Sequence, residues 1–177
     1  KKSIIFLTIF LSLLSFSNTF AQQENKLSSS NRKAVKLYNE GLSYYDLRKN
    51  ELAELTFLEA ISKDPNFIEA EMLLAYIYTD QRKYEEASKH YERCVEIKPD
   101  FFPEIYSSLG AIELKLGKYA KAKAHFEIYL NFKDAPLMMA DLAEDGWRDC
   151  AFALEALKNP VPFNPVNLGP RINSPLP

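Results

Sequence analysis

AVKLYNEGLSYYDLRKNELAELTFLEAISKDPNF (34–67), IEAEMLLAYIYTDQRKYEEASKHYERCVEIKPDFF (68–102) and PEIYSSLGAIELKLGKYAKAKAHFEIYLNFKDAP (103–136) are three successive stretches of one chain, and they say nearly the same thing three times. Gly41, Ala75 and Gly110 are spaced 34 and then 35 residues apart. Ala53, Ala87 and Ala122 fall at the same intervals, as do Phe57, Tyr91 and Phe126. Tyr44 and Tyr78 repeat once, and so do Pro65 and Pro99. Each stretch reads as a pair of helices, the first pair over about Ala34–Leu47 and Glu51–Lys63. Small residues mark where helix backbones approach closely, and aromatics fill the space left over. Gly41 in mid-helix costs about 1 kcal/mol relative to alanine, which close packing explains. In the second helix Leu52, Leu55, Phe57, Leu58 and Ile61 read as the apolar face. Asp64-Pro65-Asn66 ends that helix, with Asn66 available to cap the next. Asp100 is the corresponding cap before the third pair, and Pro103 stands near its first position.

A period of about 34 residues with this order of small and aromatic positions resembles the tetratricopeptide-repeat family. The resemblance implies an all-α fold: a right-handed superhelical array of three helix pairs (34–67, 68–102, 103–136), followed by a capping helix over 137–158. In that helix Leu142, Trp147, Cys150, Leu154 and Leu157 fall along one side at helical spacing, which reads as the buried side. Trp147 is read there as a core wedge.

The two ends differ in texture. Lys1-Lys2, the apolar run Ile4–Leu14 and Thr19-Phe20-Ala21 have the layout of an export signal over residues 1–21, cleaved before Gln22. The run is shorter than the ~20 residues of a membrane-crossing helix, so no stable span is expected after cleavage, and a permanent N-terminal anchor is the lesser alternative. No cysteine near the cleavage point invites a lipid. Residues 22–33 form a polar leader in which Ser30 or Asn31 can cap the first helix. Residues 159–177 hold six of the ten prolines and read as an extended linker. The string NPVPFNPVNLGPRINS (159–174) is similar to the junction in large OmpA-family envelope proteins of the Bacteroidota, where a signal peptide and tetratricopeptide repeats precede a WD40-like propeller and, commonly, carboxypeptidase-regulatory-like and OmpA-like domains. This chain then looks like the N-terminal piece of such a protein. The resemblance implies an outer-membrane or periplasmic scaffold, with links to peptidoglycan or to type IX secretion residing in domains beyond this sequence.

Composition and chemistry narrow the function. A net charge of −2 with mixed signs gives no nucleic-acid footprint. The chain has two histidines and two cysteines. His90 and Cys94 are one helical turn apart, but Cys94 holds the small-residue position of Ala60 and reads as packing. His90 and His125 occupy like positions in successive pairs, at least about 8–10 Å apart, too far to share one metal. Export permits a Cys94–Cys150 disulfide, yet a helix pair should separate them, and two separate buried thiols are expected. No nucleophile constellation, phosphate loop or acidic pair is legible, so neither an enzyme nor a cofactor is expected.

What remains is a surface. The resemblance assigns the inner groove to Val35, Tyr38, Leu42, Tyr45 and Asp46 of the first pair. Glu69, Met72, Tyr76, Thr79 and Asp80 follow from the second, and Glu104, Ser107, Ala111, Leu114 and Lys115 from the third. At the five places where chaperone-binding relatives carry a carboxylate clamp, this chain has Tyr38, Asn39, Leu42, Glu104 and Ser108, and only Asn39 matches. Binding of Hsp70 or Hsp90 tails is therefore not expected. Tyrosines, leucines and Met72 among Asp46, Glu69, Asp80 and Glu104 suit an apolar peptide or helix carrying Lys or Arg. Alternatives are a partner on the outer side of the array, or a passive spacer positioning a following β-propeller.

Overall fold

The computed structural model describes residues 27–133, 136–158 and 160. The expected export signal, residues 22–26 of the leader and all but one residue of the proline-rich tail lie outside them. Among the described residues there are seven helices and no strand: α1 Arg32–Asp46, α2 Asn50–Lys63, α3 Ile68–Asp80, α4 Tyr84–Ile97, α5 Glu104–Lys115, α6 Tyr119–Leu130 and α7 Leu137–Lys158. They alternate as the three pairs plus one helix that the repeat implies. None is long and apolar enough to cross a membrane. The chain divides after Asp80 into two compact units, α1–α3 and α4–α7.

In the first unit, Asn31 caps α1, its side-chain oxygen accepting from the N–H groups of Lys33 and Ala34 at 3.0 and 3.3 Å. The helix ends in a Schellman turn. Lys49 N–H bonds Tyr44 O and Arg48 N–H bonds Tyr45 O, each at 2.9 Å, with Arg48 in the left-handed region at φ 58°. Arg82 and Gly117 occupy the same place after α3 and α5, at φ 60° and 71°. Helix α2 packs on both α1 and α3. Gly41 lets α2 come close: a Cβ there would stand 2.7 Å from the Phe57 ring. The buried line of α2 is Ala53, Phe57 and Ala60. Leu52, Leu55 and Leu58, read from the sequence as part of the apolar face, are exposed instead. Only one narrow line of a two-helix hairpin is needed between α1 and α3, and the small–aromatic–small triplet fills it.

The start of helix α3 also draws on the leader. Asn66 lies two residues before the helix, and its N–H bonds Asp64 Oδ1. A group from the leader, 40 residues upstream, meets the N-terminus: Ser28 Oγ accepts from Ile68 N–H at 3.1 Å. Ser29 Oγ donates to Asp64 and the Asn31 amide to Lys63 O, so the leader is stitched to the α2–α3 corner. Asp100, expected to cap α5, does not: that helix starts after Pro103 with no side-chain cap.

In the second unit α4 packs on α5, α5 on α6, and α7 on both α5 and α6. Its core gathers Tyr106, Ala122, Phe126, Tyr129, Ala143 and Cys150. The Phe126 ring lies against two glycines, Gly110 of α5 and Gly146 of α7; a Cβ on either would come within 2.9 or 2.5 Å of it. The buried line of α7 is therefore Ala143, Gly146 and Cys150. Leu142 and Leu157, expected inside, are exposed, because only a glycine-bearing face fits flush on Phe126. Trp147 is half-buried at the rim, donating from Nε1 to Glu127 at 2.8 Å with Lys123 4.6 Å above its ring.

Candidate peptide-binding groove

Of the expected groove residues, Tyr38, Leu42, Tyr45 and Asp46 lie on α1 and Glu69, Met72, Tyr76 and Asp80 on α3 of the first unit, with Glu104 as the ninth to be placed. Tyr38 and Glu69 are brought together but closed off, each 8% exposed. The Tyr38 ring packs on Phe67 at 4.8 Å and Phe57 at 5.8 Å. Burial, and then the Glu69 charge, push its phenol up from the usual tyrosine range. The Glu69 carboxylate is taken by the leader, receiving Ser28 N–H at 2.9 Å and Ser28 Oγ–H at 2.5 Å. Both residues are spent inside the fold. Leu42, Tyr45 and Met72 are half-buried, while Asp46, Tyr76 and Asp80 are exposed. The surface of the first unit open to a partner thus centres on Tyr45 and Tyr76 with carboxylates near the helix ends. The ninth residue, Glu104, is half-buried at the start of α5 in the second unit.

The second unit holds a better-formed site. A cavity of about 460 Å³ opens between α5 and α7. Ser107, Ala111, Leu114 and Lys115 line one wall, four of the five groove positions expected on the third pair. The other wall was not foreseen: Met139, Leu142, Asp145 and Asp149 of α7, with Phe126 and Gly146 at the base. Asp145 is held by Arg148 at 3.0 Å, and both acids are exposed. The signal for that wall was Gly146, 36 residues after Gly110 and so the next small position in the series. The cavity is mainly apolar, with Asp145 and Asp149 on the α7 side and Ser107, Ser108 and Lys115 on the α5 side.

The third pair also holds a polar departure from the repeat. Where the first two pairs carry Tyr44 and Tyr78, the third carries Glu113, which is fully buried. Its Oε2 stands 2.6 Å from Nδ1 of His125, and its Oε1 has no partner. The Cys150 thiol is nearby, pushed up by burial and by the charges of Asp149 and Glu113. It is fully buried, so it presents no nucleophile to a substrate. Both cysteines are buried thiols, and no disulfide joins them. Among the described residues no three His, Cys, Asp or Glu side chains stand together as a metal site.

Comparison with known proteins fits this architecture. Residues 68–101 match the tetratricopeptide-repeat family model. The first TPR of Spaghetti (RPAP3), bound to the HSP90 peptide SRMEEVD, superposes with a TM-score of 0.61 at 22% identity, covering 71% of this chain and 96% of that one. The Sgt2 TPR domain of Aspergillus fumigatus gives 0.58 at 18% identity, over 78% of this chain and 91% of that. The TPR2B domain of yeast Sti1 in complex with pHsp70 gives 0.57 at 19%, over 68% and 97%. No curated protein is significantly similar in sequence. The chain contains a tetratricopeptide repeat at residues 68–101, and its helices adopt the fold of tetratricopeptide domains.

Proposed function

We propose that the protein is an exported, non-enzymatic scaffold that holds an apolar, Lys- or Arg-bearing peptide or helix of a partner protein at the cell envelope, on the periplasmic side of the outer membrane. The observation that carries the binding reading is the cavity between α5 and α7, mainly apolar with Asp145 and Asp149 on the α7 side. The fold supports it, since tetratricopeptide domains present surfaces for protein contacts. The Spaghetti domain is bound to an acidic HSP90 peptide. Acidic peptides suit this chain poorly, because Asp46, Asp80, Asp145 and Asp149 are exposed here and the clamp positions carry Tyr38, Leu42, Glu104 and Ser108. The envelope assignment is supported by the Lys1–Ala21 segment and by the junction-like string 159–174. A link to peptidoglycan or to type IX secretion would run through domains like those of the similar envelope proteins.

Fluorescence anisotropy with short labelled peptides tests the site. Apolar peptides carrying Lys should bind, SRMEEVD should not, and Asp145→Asn with Asp149→Asn should weaken binding about tenfold. Equal binding of both peptides, or indifference to the double variant, overturns the reading. Secretion of a mature chain beginning at Gln22 tests the export half independently.

A further inference from the structure

The outward face of α2 is the surface that the repeat does not explain. With Ala53, Phe57 and Ala60 buried, the opposite side of α2 presents Glu51, Leu52, Leu55, Leu58, Glu59 and Ser62, all exposed. The three leucines are 45%, 64% and 40% exposed and follow one another at three-residue spacing, one ridge along the helix. The corresponding positions on α4 are Glu86, Lys89 and Glu92, and on α6 Lys121, Ala124 and Glu127. The fold therefore does not call for leucine there: a sister helix of the same architecture carries charge at all three. A contiguous apolar ridge set among polar residues marks a contact site.

The charges beside the ridge choose the occupant. Glu51 and Glu59 flank Leu55 on its two sides along the helix, while Lys49 and Lys63 stand only at the ends. In an antiparallel pairing of α2 with a second copy, centred on Leu55, Leu52 would meet Leu58 but Glu51 would meet Glu59. A parallel two-fold pairing would set each glutamate against itself. Both arrangements put like charges across the ridge, which costs specificity and affinity. Basic groups beside an aliphatic stripe would instead meet both glutamates. We infer that the Leu52–Leu55–Leu58 ridge is a docking site for an amphipathic helix of a partner protein, with aliphatic residues on one face flanked by Lys or Arg. The ridge lies on α2 and shares no residue with the cavity between α5 and α7, so the inference stands apart from the groove reading.

The test uses the full chain carrying Asp145→Asn and Asp149→Asn, so that the cavity between α5 and α7 does not compete, and two labelled helical peptides of equal length, with leucines at i, i+3, i+4 and i+7, flanked in one by lysines and in the other by glutamates. Anisotropy should show the lysine-flanked peptide bound at least tenfold tighter. Leu52→Glu with Leu55→Lys and Leu58→Glu, which gives α2 the residues α4 carries, should lower that affinity at least tenfold while leaving the unfolding temperature unchanged. Leu55→Lys alone should lower it several-fold. Equal affinity for the two peptides, or undiminished binding by the triple variant, overturns the inference. So does sedimentation showing that the protein itself dimerises and that the triple variant does not, since the ridge would then serve a second copy.

Discussion

Gly146→Ala sets two opposed effects against each other. Replacing a glycine within a helix by alanine ordinarily stabilises by about 1 kcal/mol, because glycine gives up more backbone freedom on folding. At this position the new Cβ would stand 2.5 Å from Cζ and 2.7 Å from Cε2 of Phe126. Non-bonded carbons settle at about 3.5–4.0 Å, so the ring would have to retreat by about 1 Å. It has little room to do so: its Cδ1–Cε1 edge faces Gly110, where a Cβ would already be 2.9 Å away. Overpacking of a closed core costs about 1–3 kcal/mol, and a clash with two ring atoms belongs at the upper end. The net effect is a loss of about 1–2 kcal/mol, which lowers the midpoint of a unit this size by roughly 4–15 °C. Trp147, the only tryptophan, sits beside the substituted residue and reports the loosening of α7 by fluorescence during denaturant unfolding. In a Phe126→Leu background the same alanine should cost far less, giving a coupling above about 1 kcal/mol between the two sites. A Gly146→Ala protein more stable than the parent would refute the flush packing of α7 on Phe126.

Two other perturbations have definite expectations. His125→Leu leaves the fully buried Glu113 carboxyl with neither oxygen paired and should cost about 1–3 kcal/mol; Glu113→Leu added to it should recover much of the loss in thermal unfolding, and a double variant no better than the single one would contradict the pairing account. Ser28→Ala removes the acceptor for Ile68 N–H and one donor to Glu69, an effect of about 1 kcal/mol that should appear as faster amide exchange at Ile68; unchanged exchange there would mean the leader does not cap α3.

Legibility in the sequence followed the range of each interaction. The small and aromatic positions held by Ala53 and Phe57 were readable because every hairpin repeats them, and a pattern said three times is hard to mistake. The direction of the leucines on α2 was not: Leu52, Leu55 and Leu58 are helically spaced among themselves, and spacing alone does not say which side a neighbouring helix covers. Local caps were partly readable, as Asn31 shows. The cap on α3 was not, because its donor and acceptor are 40 residues apart. Gly146 was passed over as a repeat position because two further residues separate it from the 34-residue period, enough to hide the register but not to change the packing against Phe126.

The departures from the repeat, and not its consensus, are where this chain differs from a generic array. Glu113 replaces the tyrosine of the earlier pairs and is compensated by His125 from the facing helix; the substitution is conservative in neither size nor charge, yet the fold absorbs it by pairing. Tyr129 replaces the small residue held by Ala60 and Cys94, and the third pair closes with a bulkier core facing α7. Leu52, Leu55 and Leu58 replace charges and have no such internal answer. A departure that is compensated inside the molecule serves the fold, and one left open on the surface serves something outside it. By that criterion α2 faces a partner, and the carboxylate beneath α7 does not.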